Sequence, residues 1–203
     1  MLGVNKNYGI EREKTMAATA AKSFEEFFED SMRELILEGD PILVKRAQTF
    51  DFDNPQEDPE KLKEELVQGL VKYEGMGLSA CQIGVDLKVF AMRFNGDAIC
   101  CFNPRITFST EETTYMSEGC LSFPGLFFPV TRALGINCTF ANFEGTVVSA
   151  SFTEISAKTF QHEYDHMLGK LYLEYASSYM IRNARRKQKL WNRKRKNNGS
   201  NSS

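Results

Sequence analysis

The stretch QHEYDH, residues 161–166, holds both histidines of a 203-residue chain, His162 and His166, with Glu163 between them. On a helix, residues four apart stand one turn above the other on one face, so both imidazoles can meet a single ion. Neutral imidazole suits zinc or divalent iron, and an adjacent carboxylate suits proton transfer from activated water. So short a pattern also recurs by chance, as two half-buried histidines on an ordinary helix. The flanks decide for the helix: TEISAKTFQHEYDHML (153–168) reads as one, with Gly169 as its stop.

The third ligand is constrained by what is missing. A long zinc-protease motif would place a third histidine where Tyr172 stands. With no histidine left, a cysteine or carboxylate must serve, and Glu174 follows His166 too closely to fold back. Cys120, in the turn-like segment SEGCLSFPG, is the best candidate. Cys-His-His with an open fourth position is a catalytic rather than a closed structural pattern. The chain has five cysteines, at 81, 100, 101, 120 and 138, with no CxxC spacing. The odd count and the absence of a secretion signal argue against a disulfide framework. Cys100 and Cys101 are expected on opposite faces of a strand.

Around this helix the sequence reads as an α+β domain, with small mixed or antiparallel sheets around the central HExxH helix, N-terminal helices and a basic C-terminal helix. Residues 23–37 and 58–74 have helical apolar spacing, the second capped by Asp58 and stopped at Gly75. Strand-like runs follow at 86–94, 98–108, 130–140 and 145–152, with a hairpin connection at Asn142–Gly145. A last helix is expected from about Ser178, ahead of a disordered NNGSNSS tail.

Three separated stretches, GMGLSACQ (75–82), EGCLS (118–122) and QHEYDH (161–166), together resemble the peptide deformylases, metallohydrolases that remove the formyl group from the N-terminal methionine of new proteins. The resemblance runs from about Met32 to Leu190 and divides the chain into an N-terminal extension (1–31) of unassigned role, a catalytic domain (32–181) and a basic helix and tail (182–203). Ser79 and Cys81 depart from the family, which commonly has alanine and a variable residue there.

The resemblance implies one divalent metal ion per chain on Cys120, His162 and His166, Fe²⁺ as the working ion and zinc, nickel or cobalt as substitutes. Glu163 would take a proton from water and return it to the departing amine. The Gln82 side-chain amide and the Leu121 backbone N–H would hold the oxyanion. Main chain at Gly75, Gly77 and Gly119, with Glu118 beside them, would lie along the peptide. Met76, Phe123, Phe127, Ile155 and Thr159 would line the methionine pocket with a face of His162, and core packing is the alternative for each aromatic. Lys158 is expected at the pocket mouth, since an unpaired ammonium is costly to bury, and Asp165 is expected to pair with Arg132.

The net charge of −2 hides an asymmetry: residues 182–196 carry nine Lys/Arg and no acid, leaving about −11 on the rest. In the family a C-terminal helix can dock at the ribosomal exit, so the ribosome is the expected partner beside formyl-Met nascent peptides. No apolar run is long enough for a membrane span. A monomer in the cytoplasm of a bacterium or an infected bacterial host is expected. Two rivals remain, an HExxH metallopeptidase and a ribosome- or RNA-associated module with a structural metal.

Overall fold

The computed structural model describes residues 32–199, with side chains described to residue 193. Residues 1–33 and 34–203 separate into two compact units, and the fold below is that of the second. Most of the helix expected at 23–37 lies outside the described residues, but Met32–Leu37 is not helical. Its main chain is used elsewhere: the Ile36 N–H donates to the Gln82 carbonyl at 2.7 Å, the Glu38 N–H to that of Ser122 at 2.9 Å.

Helix α1, Pro59–Lys72, starts as expected, with Asp58 accepting from the N–H groups of Glu60 and Lys61 and Pro59 in the first turn. It buries Leu62, Leu66 and Leu70 along one face. The left-handed residue after it is Glu74, at φ 53°, rather than the anticipated Gly75. Strands β1 (Gly77–Ser79), β2 (Val89–Phe94), β3 (Asp97–Ser109), β6 (Gly135–Ala141) and β7 (Val147–Thr153) form one antiparallel sheet in the order β1-β2-β3-β6-β7. Strands β4 (Thr113–Glu118) and β5 (Phe128–Ala133) form a separate two-stranded ribbon.

The run expected as one strand at 130–140 is therefore two strands in different sheets. Leu134 separates them; its N–H donates to the Glu112 carbonyl and its own carbonyl accepts from the Glu154 N–H, both at 2.8 Å. Those bonds join the ribbon, the sheet and the start of helix α2, Glu154–Met167. The hairpin turn at Asn142–Gly145 links β6 to β7, with Gly145 at φ 83°.

Alternation along β2 explains the layering. Val89 and Ala91 pack with α1 and Phe50, while Phe90 and Met92 pack with Phe160 and Met167 of α2. Cys100 and Cys101 divide in the same way, Cys101 joining the α2 side. Sandwiched between sheet and ribbon, α2 buries nine of its residues, among them His162, Glu163, Asp165 and His166. It ends at Gly169, at φ 71°, where a Cβ would run into the Val44 carbonyl.

Helix α3, Ser178–Gly199, runs unbroken across residue 182 and buries Ala184 against the ribbon cluster. It continues through Asn197–Gly199, expected to be tail, because each residue added to an existing helix gains a hydrogen bond. Among the described residues no helix is long and apolar enough to cross a membrane.

Candidate metal centre

Cys120 lies just beyond the end of β4, and His162 and His166 lie one turn apart on α2. Their ligand atoms are all within 4.8 Å of one another, and all three residues are buried. Cys120 Sγ is 3.4 Å from His166 Nε2. Typical zinc bonds of about 2.3 Å to sulfur and about 2.0–2.1 Å to nitrogen, at a tetrahedral angle, would separate those atoms by about 3.5 Å. The three residues fit a small divalent ion in spacing and in donor chemistry.

A chain of buried charges holds these elements together. Arg132 on β5 grips Glu118 on β4 through two nitrogens, Nε to Oε1 at 2.9 Å and Nη2 to Oε2 at 3.1 Å. Its Nη1 donates to Asp165 of α2, the expected pair. Glu118 Oε2 is also 3.1 Å from His162 Nδ1. That contact leaves Nε2 of His162 for a ligand, the usual way a carboxylate fixes a metal-binding histidine. The Glu118 carboxylate is thus committed to Arg132 and His162, and the residue also lines the cavity beside Gly119, as expected of a position along the peptide. His166 has no such partner: its buried Nδ1 makes no hydrogen bond among the described residues.

Electrostatics favour a cation here. Burial opposes charge on His162, but hydrogen bonds to Cys120 and Glu118 outweigh it and raise its pKa to about 10. Burial and the neighbouring His162 keep His166 neutral, well below the usual histidine range. Burial also pushes Glu118 up, but His162 and Arg132 hold it down at about 2. The sulfur and the carboxylate thus favour positive charge beside them, which a metal cation would supply.

Glu163 faces β1. Its Oε2 accepts from the Ser79 hydroxyl at 2.7 Å, and a Cβ on Gly77 would collide with its carboxyl group. Close approach therefore requires glycine at 77. Burial raises the Glu163 pKa. Gln82 lies one helical turn beyond Ser79, accepting from the Ser79 N–H at 2.9 Å and donating to Cys120 Sγ at 3.3 Å and Ser122 Oγ at 3.1 Å. Leu121 follows Cys120, and its N–H donates to no backbone acceptor among the described residues.

Gln82, Cys120, Leu121, His162 and Glu163 open onto a cavity of about 970 Å³. Gly75, Met76, Gly77, Gly119, Phe127, Ile155 and Thr159 all line it. Phe123 does not: it is 2% exposed and packs edge-on against Tyr172 in the ribbon cluster. Lys158 is not at the mouth. It is buried, and its ammonium donates to the Ser117 carbonyl, which meets part of the cost that argued for exposure. Burial lowers its pKa.

Sequence reasoning missed several supports. The Ser79 hydroxyl reads locally as a packing change, and its partner is 84 residues away. Tyr172, standing where a protease would have its third histidine, donates its hydroxyl to the Leu126 carbonyl at 2.8 Å and stacks on Phe128. It locks the loop after Cys120 beneath His162, 5.6 Å away between ring centres.

Comparison with known proteins places this arrangement. The family model described as Polypeptide deformylase matches residues 32–181. A peptide deformylase from Pseudothermotoga lettingae is 35% identical over 147 residues, 72% of this chain and 84% of that one. Peptide deformylase 1B, chloroplastic, of Oryza sativa subsp. japonica is 32% identical over 154 residues, 72% of this chain and 55% of its own. The crystal structure of peptide deformylase from Thermotoga maritima aligns with a TM-score of 0.68 at 33% identity, covering 72% of this chain and 98% of that one. With its Cys-His-His group, its α+β fold and these relatives, the chain belongs to the peptide deformylase family.

Proposed function

We propose that the chain performs its family's hydrolysis, removing the formyl group from the N-terminal formyl-methionine of nascent polypeptides, with Glu163 as proton carrier. The observation that carries this reading is the convergence of Cys120, His162 and His166, with Cys120 and His162 lining the cavity beside Glu163. When bound, a divalent ion on those ligands supplies a Lewis acid that polarises the formyl oxygen and makes water nucleophilic near neutral pH. Fe²⁺ is the proposed working ion, and zinc, nickel or cobalt would fit the same donors.

Glu163 takes the proton from the attacking water and gives it to the departing methionine amine. Burial raises its pKa toward the range that suits a group working in both directions. Gln82 exchanges its weak bond to the Cys120 sulfur for the developing oxyanion, and the Leu121 N–H is the second donor. β1 is the edge strand of its sheet, so a peptide can lie along Gly75–Gly77 as an added strand, with Gly119 opposite. Ile155, Thr159 and Phe127 take the methionine side chain against the His162 ring.

The test compares formyl-Met-Ala-Ser with acetyl-Met-Ala-Ser and the unblocked tripeptide, with and without chelator. Release of formate from the first alone, lost on chelation and restored by Fe²⁺ or another divalent ion, is expected. Cleavage of the Met-Ala bond would favour the metallopeptidase reading instead. The chain is proposed to act as a cytoplasmic monomer, which fractionation and sizing in solution would check.

The ribosome is the proposed docking partner of α3. Arg182, Arg186, Lys189 and Arg193 recur at helical spacing on an exposed stripe, away from buried Ala184. Deleting 182–203 would also remove buried Ala184 and the cavity residue Trp191, so charge reversal of the stripe is the cleaner test. The quadruple glutamate variant is expected to co-sediment less with ribosomes and still deformylate free peptide. Its salt slope should flatten by about 0.7–0.9 for each phosphate it no longer neutralises.

A further inference from the structure

Every residue lining the cavity but one lies within the span matched to the family, 32–181. The exception is Trp191 of α3. Its indole lies against Gly125 so closely that a Cβ there would run into the ring. The helix is fastened on the same side: Gln188 Nε2 donates to the Pro124 carbonyl at 2.8 Å, Arg185 pairs with Glu38, and Ala184 is buried. Residues 184, 188 and 191 follow helical spacing, so one face of α3 is committed to the 124–125 turn and the other carries the basic stripe.

The proposed chemistry leaves this wall without a role. Water attack and the methionine side chain occupy the side of the cavity formed by α2 and Cys120. Leu35, Pro124 and Trp191 line it as well, supplying apolar surface that a single formyl-methionyl group does not need. A cavity of about 970 Å³ stands at the upper end of the roughly 300–1,000 Å³ typical of ligand pockets. A peptide along the edge of β1 runs on past methionine, and its next residues need a place to lie.

We infer that Trp191 is a specificity-determining residue: the C-terminal helix supplies a third wall of the cleft, on which an apolar or aromatic side chain beyond the formylated methionine packs. The inference rests on the deformylase reading for what enters the cleft. An indole face offers a large, rigid contact area to an aromatic or aliphatic side chain. Of the charged residues at the cavity, only Glu74 belongs to neither α2 nor the Glu118–Arg132 pair. Apolar substrate residues are therefore favoured over acidic ones.

The test has two arms. Trp191 is the chain's sole tryptophan, so its fluorescence reports this wall directly. Titrating the whole metal-loaded protein with the product Met-Ala-Phe should shift or quench the emission to saturation, and Met-Ala-Asp should do so only at higher concentration. In the second arm, kcat/KM for formyl-Met-Ala-Phe should exceed that for formyl-Met-Ala-Asp by roughly 2- to 10-fold, the range one aromatic contact supplies. The ratio should fall close to one in Trp191→Ala and survive in Trp191→Phe. An unmoved emission, or a ratio unchanged in Trp191→Ala, overturns the inference. If the wild-type protein deformylates neither peptide, the reaction assignment fails, and the fluorescence arm alone decides whether this wall binds peptide.

Discussion

The two ends of the cleft are built on opposite principles. At the metal end the buried side chains are tied in sequence, Asp165 to Arg132, Arg132 to Glu118, Glu118 to His162, and Ser79 to Glu163, and among the described residues only His166 Nδ1 is buried without a partner. At the end proposed for the rest of the peptide Met76 is 47% exposed and Trp191 38%. Chemistry on one invariant bond calls for fixed geometry, since proton carriers and ligands must be held in place before the substrate arrives. Nascent chains differ after the first residue, and an exposed apolar rim can accept them without redesign. The contrast predicts that substitutions at the metal end act on kcat or on stability, and substitutions at the rim act on KM.

The largest effect should come from Glu163→Gln. The amide is nearly isosteric but cannot carry the proton, so kcat should fall about 10²–10⁴-fold. Metal content, measured on the same preparation, should match the wild type. A residual activity above a tenth would remove Glu163 from its role and leave the proton with another group. Next comes Arg132→Met, which leaves Glu118 and Asp165 as buried carboxylates without their cation. Losing one partner of a buried pair costs about 3–5 kcal/mol, read as a drop in the urea midpoint at constant slope. Arg132→Lys should recover only part of this, because an ammonium cannot reproduce the two-nitrogen grip on Glu118.

How much of this contrast the sequence discloses follows from the range of each interaction. The helix at 153–168 is legible because its period, its glycine stop and its histidine spacing are all local. Cys120 is legible because elimination leaves few donors. The Arg132–Asp165 contact follows from resemblance, yet nothing in the sequence shows that the Glu118 carboxylate completes it. Its two partners lie 14 and 44 residues away, and no local pattern records them. β4 is missed because its side chains are exposed at Thr113, Tyr115 and Ser117 with only partial burial between. The run at 130–140 conceals a change of sheet, since both strands continue the same apolar pattern and only the hydrogen bonds of Leu134 mark the break. Phe123 and Phe127 are four apart and both aromatic, yet one is core and the other rim. Trp191 is visible as the sole tryptophan, but what a helix face docks on is written in the other surface.

Ser79→Ala tests the metal end at its lightest point. The hydroxyl donates at 2.7 Å to the carboxylate that would move the proton, and hydrogen bonds to charged groups contribute about 1.5–3 kcal/mol. Part of that loss is recovered when the carboxylate relaxes, so kcat is expected to fall about 3- to 10-fold with little change in KM. An unchanged kcat would mean that packing against Gly77 positions Glu163 without the hydroxyl.

The smallest expected effect, and the one that most directly opposes the two ends, is Met76→Ala. Met76 is half exposed in the free protein, so removing its side chain leaves no cavity and should shift stability by no more than about 0.5 kcal/mol. In the complex, the proposed peptide would cover that side chain, and each methylene removed from it forfeits up to about 0.8 kcal/mol of burial. Met76 would touch substrate far from the bond being broken, so it grips ground state and transition state alike. KM for formyl-Met-Ala-Ser should therefore rise roughly 3- to 10-fold while kcat holds. If kcat falls instead with KM unchanged, the rim takes part in positioning the reacting carbonyl, and the division between a fixed end and an adaptable end does not hold at β1.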